Sequence, residues 1–138
     1  KGIKPSDARS RGMELLSRFD LADRAKSDIG DMSKGMAQKV QLATSLVNDP
    51  ELLMLDEPFS GLDPVNQGLL ENEILRASDR GAAVIFSTHV MQHAERLCDR
   101  IGVMCRGELS GVRPVADWSE QEIIRTAVGQ ADPKEVAA

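Results

Sequence analysis

Residues 52–63 read L-L-M-L-D-E-P-F-S-G-L-D, and the interpretation of the whole chain starts from this stretch. Four apolar residues run directly into two adjacent carboxylates, Asp56 and Glu57, and Pro58 ends the run. A short and wholly apolar segment is typical of a strand covered on both faces in a parallel sheet. Because neighbouring carboxylates repel each other, the pattern indicates that a positive or proton-accepting group faces them.

Helices and strands are predicted to alternate on both sides of this stretch. Apolar residues recur at helical spacing, and Ser33, Asp63 and Ser119 precede three of these runs as N-cap residues. This alternation predicts an α/β fold with a parallel sheet. The predicted helices cover residues 6–19, 34–47, 64–80, 90–98 and 120–128, and the predicted strands cover 52–56, 82–86 and 101–104.

Size and composition indicate one ordinary globular domain. The chain has 138 residues, of which 41% are hydrophobic and 28% charged. Its net charge of −5 argues against nucleic acid as a partner, because nucleic-acid-binding domains carry a basic face. The apolar runs are far too short to span a membrane. Cys98 and Cys105 are expected to be free thiols, and a cytoplasmic location follows.

Chemically useful side chains follow two of the predicted strands. Asp56 and Glu57 follow the first strand, and His89 ends the Ser-Thr-His sequence after the second. Ligands of open α/β sheets bind at the carboxyl ends of the strands. There an aspartate can hold Mg²⁺, a glutamate can activate water, and a histidine can stabilise a terminal phosphate. The pattern suits hydrolysis of a nucleoside triphosphate, although a helix-capping pair of acids is an equally plain interpretation.

A second candidate site lies before the helix that begins near residue 34. Ser33, Lys34 and Gly35 supply a hydroxyl, a cationic side chain and backbone amides at a helix N-terminus. These groups suit a phosphate. N-capped helices are common, so this loop alone is weak evidence of a phosphate site. The order of the loop and the two strand ends along the chain strengthens that interpretation.

Together these motifs resemble the carboxyl-terminal half of an ABC transporter ATPase subunit. The sequence M-S-K-G-M at 32–36 is similar to the family's signature loop, L-L-M-L-D-E-P at 52–58 to its Walker B strand, S-G-L-D-P at 60–64 to its D-loop, and S-T-H at 87–89 to its histidine switch. The resemblance covers residues 1 to about 112. It implies a partial P-loop NTPase (ABC ATPase) fold, with a mostly parallel sheet flanked by helices.

The resemblance also implies roles for individual residues. Asp56 would hold Mg²⁺, Glu57 would be the catalytic glutamate, and His89 the switch histidine. Ser33, Lys34 and Gly35 would contact the γ-phosphate of ATP held by a second ATPase subunit. The D-loop residues, which include Ser60, Gly61 and Asp63, would face that subunit.

The implied setting is the cytoplasmic, inner face of a cell membrane, beside a transmembrane transporter subunit. Three segments are expected: 1–47 as part of a helical subdomain with the signature loop and helix, 48–112 as the carboxyl-terminal half of the ATPase core, and 113–138 as an extension with one helix.

The sequence departs from the family in one decisive way. No G-x-x-x-x-G-K-[ST] phosphate loop occurs in the 138 residues. The sheet is therefore expected to lack the phosphate-loop strand and to show a gap or altered pairing between the second and third strands. The chain resembles a fragment or truncated product, and we expect it to hydrolyse no ATP alone. Met32, Lys34 and Met36 also replace the leucine, second glycine and glutamine that are usual in the signature loop.

Several alternatives remain open at this stage. The chain could be a non-catalytic module that offers its signature loop to a complete partner, or part of a DNA-repair or chromosome ATPase. His89 and His93 have a spacing that can bind zinc. The front resembles an exporter branch, whereas residues from Val103 onward resemble a sugar-importer tail.

Other side chains are assigned structural roles. Met54, Met91 and Met104 are expected in the core, Trp118 is expected to cover the joint between the last strand and the final helix, and Lys4, Arg9, Arg11 and Arg18 are expected to form a solvated helix face, with a membrane partner as the alternative.

Overall fold

The computed structural model describes residues 3–130. The last few residues of the chain, which we expect from the sequence to be disordered, lie outside this range. The structure contains five α-helices and four strands within that range. The helices are α1 (Pro5–Arg18), α2 (Lys34–Leu46), α3 (Pro64–Asp79), α4 (Met91–Leu97) and α5 (Glu120–Ala127), and the strands are β1 (Leu52–Leu55), β2 (Ala83–Phe86), β3 (Arg100–Cys105) and β4 (Glu108–Pro114).

The chain forms two compact units, divided between Thr88 and His89. The boundaries expected at 47/48 and 112/113 stay predictions. In the first unit α1 packs on α2, α2 on α3, and α3 on β2. Phe19 and Leu70 are the largest fully buried side chains of this core.

The local signals for the helices of the first unit are confirmed. The Ser33 hydroxyl accepts a hydrogen bond from the backbone of Met36 at the start of α2. Asp63 caps α3 in the same way, with Pro64 in the first turn. After α3 the chain turns at Gly81, whose φ of +95° is accessible to glycine and strained for other residues.

β1 and β2 form the predicted parallel pair, in which Leu55 lies opposite Phe86. The expectation that β1 is covered on both faces is wrong. Leu53 is buried, but Leu52 is exposed and Met54 is 70% exposed. Side chains alternate along a strand, and within residues 3–130 only one face of this pair is covered, so Met54 is not a core residue.

The second unit contains a strand that the sequence did not predict. β4 pairs antiparallel with β3 after the turn at Arg106 and Gly107, and α5 packs on β3. Met104, also expected in the core, is exposed. The Trp118 indole Nε1 donates to the Ile101 carbonyl on β3 at 3.1 Å, beneath the guanidinium of Arg113 on β4, and its predicted cover over the joint with the final helix stays a prediction.

The strands form two separate two-stranded sheets, β1–β2 and β3–β4. β2 and β3 thus belong to different sheets and to different units of the described residues, and the expected gap or altered pairing between them stays a prediction. Strands and helices alternate as predicted, and the α/β fold is confirmed. Cys98 and Cys105 are free thiols, as expected. No described helix is both long and apolar enough to cross a membrane.

Candidate functional site

The parallel register of β1 and β2 brings two strand ends together. Leu55 and Phe86 are the last paired residues, and the Ser87 amide donates to the Leu55 carbonyl at 3.0 Å. The next residue along each strand is therefore Asp56 or Ser87. This register places the acidic pair beside the beginning of the Ser-Thr-His sequence.

The Ser87 hydroxyl contacts both members of the acidic pair. It donates to Asp56 Oδ1 at 2.5 Å and accepts from the backbone N–H of Glu57 at 2.9 Å. Glu57 has a φ of +43°, so the chain leaves the strand direction at this residue. We call Asp56, Glu57 and Ser87 the strand-end site.

A tight turn follows the strand-end site and is fixed by apolar packing. The Ser60 amide donates to the Glu57 carbonyl at 3.1 Å. Pro58 and Phe59 are buried, and the Phe59 ring contacts Phe86 edge-on at 5.8 Å between ring centroids. The turn thus holds the acidic pair between a hydrogen-bonded strand and a buried aromatic contact.

The signature loop and the D-loop lie against each other within the chain. Gln38 Nε2, on α2, donates to the Ser60 carbonyl at 3.0 Å. A Cβ added at Gly61, which has a φ of +75°, would lie 3.2 Å from Lys34 Nζ. A Cβ added at Gly35 would lie 3.2 Å from a Leu62 methyl group. Gly35 therefore permits a close approach to Leu62, whereas at Gly61 the positive φ is the stronger requirement for glycine, because the flexible end of Lys34 can move aside.

A second set of hydrogen bonds joins α2 to the start of α3. Asp63 Oδ1 accepts from the amides of Val65 and Asn66 at 3.0 and 3.1 Å, and the Asn66 side chain donates to Asp63 Oδ2. The buried Lys39 donates to Asn66 Oδ1 at 2.9 Å. The hydrogen bonds from Asn66, backbone first, hold the pKa of Asp63 below its ordinary value.

The structure thus brings the predicted residues into two groups of the first unit: Asp56 and Glu57 in one, and Ser33, Lys34, Gly35, Ser60, Gly61 and Asp63 in the other. His89 is the first residue of the second unit, and its switch role stays a prediction. His93 is buried on α4. Within residues 3–130 no cluster of three His, Cys, Asp or Glu residues could hold a metal ion.

The donors of the strand-end site are compatible with magnesium. Asp56 is exposed and contributes a carboxylate, while the Ser87 hydroxyl occupies one of its oxygens. Mg²⁺ in nucleotide sites typically uses one or two carboxylates and takes its other ligands from water and phosphate. One aspartate without a protein cage is therefore a suitable donor set.

Four contributing residues were given no role from sequence, although Ser87 was recognised as part of the Ser-Thr-His sequence at a strand end. Gln38, Lys39 and Asn66 join the two loops, and Ser87 joins the strand ends. A signal for Ser87 was present, because it follows β2 at the same offset as Asp56 follows β1. The bonds of Gln38 and Lys39 span 22 and 27 positions, and no local pattern indicates them.

Comparison with known proteins agrees with this geometry. The ABC transporter family profile matches residues 5–60. An uncharacterized ABC transporter ATP-binding protein of Bacillus subtilis (strain 168), YhaQ, is 36% identical over 126 residues, which are 91% of this chain and 41% of that protein. A fluoroquinolones export ATP-binding protein of Mycobacterium tuberculosis (strain CDC 1551 / Oshkosh) is 45% identical over 97 residues, which are 70% of this chain and 32% of that protein.

Solved structures give the same result. The ATP-binding subunit of an ABC transporter superposes with a TM-score of 0.77 at 31% identity, over 98% of this chain and 55% of that one. A bacterial ABC transporter cassette in dimeric form gives a TM-score of 0.71 at 25% identity, over 83% of this chain and 50% of that one. The chain spans less than half the length of the curated relatives it matches, with 41% and 45% of two of them covered. It belongs to the ABC transporter ATP-binding family and carries part of that family's ATP-binding domain.

Proposed function

We propose that the protein carrying this chain is the ATP-binding and ATP-hydrolysing subunit of an ABC transporter, which couples hydrolysis to transport across a membrane. The observation that carries the proposal is the strand-end site, where the β1–β2 register sets the Asp56 carboxylate and the Glu57 backbone N–H against the Ser87 hydroxyl. The names of the relatives support the transport role, and the fluoroquinolones export protein among them favours export. No observation favours the DNA-repair alternative.

At the strand-end site we assign Asp56 to Mg²⁺ and Glu57 to the water that attacks the γ-phosphate. A carboxylate can take up the proton of that water as the new P–O bond forms and the bond from the γ-phosphorus to the bridging oxygen breaks, with ADP leaving. His89 would stabilise the charge that develops on the terminal phosphate. When bound, Mg²⁺ supplies positive charge against the phosphates.

We assign the second group of residues to contacts with a partner ATPase subunit. Ser33, Lys34 and Gly35 would contact ATP held by that subunit, and Ser60, Gly61 and Asp63 would lie at the subunit boundary. A dimeric cassette among the matching structures supports such an assembly. We also assign a transmembrane transporter subunit as a partner, and a peripheral position at the inner membrane face.

The test uses the natural-length product of the gene that encodes these residues. Glu57→Gln removes the proposed base and keeps the side-chain shape, so nucleotide binding should persist while turnover stops. Glu51→Gln, at the other end of β1, is the matched control and should hydrolyse ATP normally. Normal hydrolysis by the Glu57→Gln variant would refute the assignment of the base.

A parallel variant tests the histidine. His89→Ala should lower turnover with little change in ATP affinity, because the proposed contact forms with charge that appears in the transition state. A severe loss of ATP binding in this variant would contradict the switch role.

A second candidate function applies to the 138 residues expressed alone. The sequence has a signature loop but no phosphate loop, so it could act as a non-catalytic module that donates the loop to a complete subunit. The isolated chain should show no ATP-dependent thermal shift with Mg²⁺. If it stimulates the ATPase of an intact subunit, and Ser33→Arg abolishes the stimulation, the module function is supported; stimulation that survives Ser33→Arg contradicts it.

A further inference from the structure

The Ser87 side chain bonds to both residues of the acidic pair. Its hydroxyl donates to Asp56 Oδ1 and accepts the backbone N–H of Glu57. A hydroxyl has one proton to donate in a hydrogen bond, and the Ser87 hydroxyl donates it to the Asp56 carboxylate. A lone pair of the same Ser87 oxygen accepts the hydrogen bond from the backbone N–H of Glu57 and is directed towards the turn. Both bonds span about thirty positions of sequence and cross from β2 to β1.

The bond to Glu57 acts on a backbone that needs support. Glu57 is one of four non-glycine residues with positive φ in the described chain, together with Asp20, Asp49 and Arg106. Aspartate enters this region more readily than most residues, and Arg106 belongs to the turn between β3 and β4. Glu57 is not an aspartate and begins the turn that the Ser60 amide closes, and the Ser87 hydroxyl bonds its amide at the point where the chain leaves β1. Such outliers persist where the surrounding structure holds them and they concentrate at functional sites.

We propose that Ser87 is a positioning residue for the hydrolysis reaction, which makes this inference dependent on the proposed function. It fixes the turn that carries the Glu57 carboxylate, and it orients Asp56 by occupying Oδ1, so that Oδ2 is the oxygen assigned to the cation. Ser87 touches neither nucleotide nor water in this assignment. Its effect on catalysis passes through the two acids.

The chain offers a substitution that keeps the hydroxyl and one that controls for its general loss. Ser87→Ala removes both hydrogen bonds, whereas Ser87→Thr retains a hydroxyl in a strand-like segment that tolerates β-branching. Ser45→Ala is the control, because Ser45 is exposed like Ser87 and its hydroxyl also donates a hydrogen bond, in this case to the backbone carbonyl of Gln41 on α2 at 3.1 Å.

The experiment measures three properties of the natural-length gene product: hydrogen exchange of the Glu57 amide, kcat and KM for ATP, and the Mg²⁺ concentration for half-maximal activity. In Ser87→Ala the Glu57 amide should exchange about tenfold faster, because its hydrogen bond is gone. The value of kcat should fall by about 10- to 100-fold as the base loses its alignment. KM for ATP should hold, the Mg²⁺ requirement should rise, Ser87→Thr should restore all of these, and Ser45→Ala should change none.

The outcomes separate this inference from the function on which it rests. If the unsubstituted protein hydrolyses ATP and Ser87→Ala has a normal kcat, the positioning role is refuted and the proposed function stands. The same conclusion holds if Ser87→Thr is as impaired as Ser87→Ala, since the hydroxyl would then be irrelevant. If the unsubstituted natural-length protein hydrolyses no ATP, the proposed function fails and the positioning role fails with it.

Discussion

Replacing Arg18 with methionine tests whether a buried ion pair holds α1 against α3. Arg18 Nη1 donates to Glu73 Oε2 at 3.0 Å, and Arg76 Nη1 donates to Glu73 Oε1 at 2.5 Å. The Glu73 side chain is only 3% exposed, whereas Arg18 is 32% exposed. Burial acts to lower the pKa of Arg18, but hydrogen bonds to Glu14 and Glu73 outweigh it and the pKa is raised. Arg18 is therefore a stable cation opposite a buried carboxylate.

The expected loss of stability follows from what remains after the substitution. Removing the sole partner of a buried charge destabilises a protein by about 3–5 kcal/mol. Glu73 keeps Arg76, so the loss should be closer to that of one charge-assisted hydrogen bond, about 1.5–3 kcal/mol. Methionine retains much of the aliphatic stem of Arg18, which limits the packing contribution to this number.

The matched control uses the other carboxylate bound by the same guanidinium. Glu14 lies four residues before Arg18 on α1 and its side chain is 61% exposed, so Glu14→Gln should lower the free energy of unfolding by only about 0.3–0.5 kcal/mol. Urea denaturation followed by circular dichroism measures both variants. The argument from burial is refuted if Arg18→Met stays within about 0.5 kcal/mol of the unsubstituted chain. It also fails if Glu14→Gln and Arg18→Met are equally destabilising.

Three further predictions concern the first unit. Gly61→Ala should lower the free energy of unfolding by about 1 kcal/mol in urea denaturation, because the φ of +75° is strained for alanine. An unchanged midpoint would argue against this backbone strain. Leu70→Ala should cost about 2–5 kcal/mol in the same assay, whereas Val65→Ala, at a 75% exposed position, should stay within about 0.5 kcal/mol. The pKa of Asp63 is lowered in the folded state, so its ionised cap stabilises the fold at pH values above the ordinary pKa of 3.8, and this stabilisation is lost as pH falls through the lower folded-state pKa. The Tm difference between the unsubstituted chain and Asp63→Asn should therefore shrink with acidification. A difference that grows would reverse the sign of this linkage.

The elements that sequence predicted correctly are those determined by neighbouring residues. The N-caps Ser33, Asp63 and Ser119 each bond to an amide two or three positions away, and all three helices begin where those residues indicate. Ser119 also completes a capping box with Glu122. Such contacts form between residues close in sequence, so they can be predicted without knowledge of the fold.

What sequence missed depends on distant partners. Arg18 resembles a solvated helix residue, yet its carboxylate partner lies 55 positions away on α3. Val65 has the spacing of a core residue on α3, but this helix buries Leu70 and Ile74 and leaves Val65 exposed. β4 was missed because its segment carries two charged residues, a glycine and a proline, which are poor signals of a strand. Its strand conformation depends on antiparallel pairing with β3.

Asp56 and Glu57 are adjacent acids at a strand end, and contacts within the chain account for part of what faces them. Asp56 receives a hydrogen bond from Ser87, and the positive φ of Glu57 turns the chain away from the strand immediately after it. A neutral hydroxyl cannot supply the charge of a cation, so a site for one remains chemically reasonable at Asp56. The hydroxyl does, however, fix the geometry of both acids before any cation or nucleotide arrives. A site prepared in this way spends less free energy on ordering its groups when the ligand binds, which is the physical advantage of joining the two strand ends through Ser87.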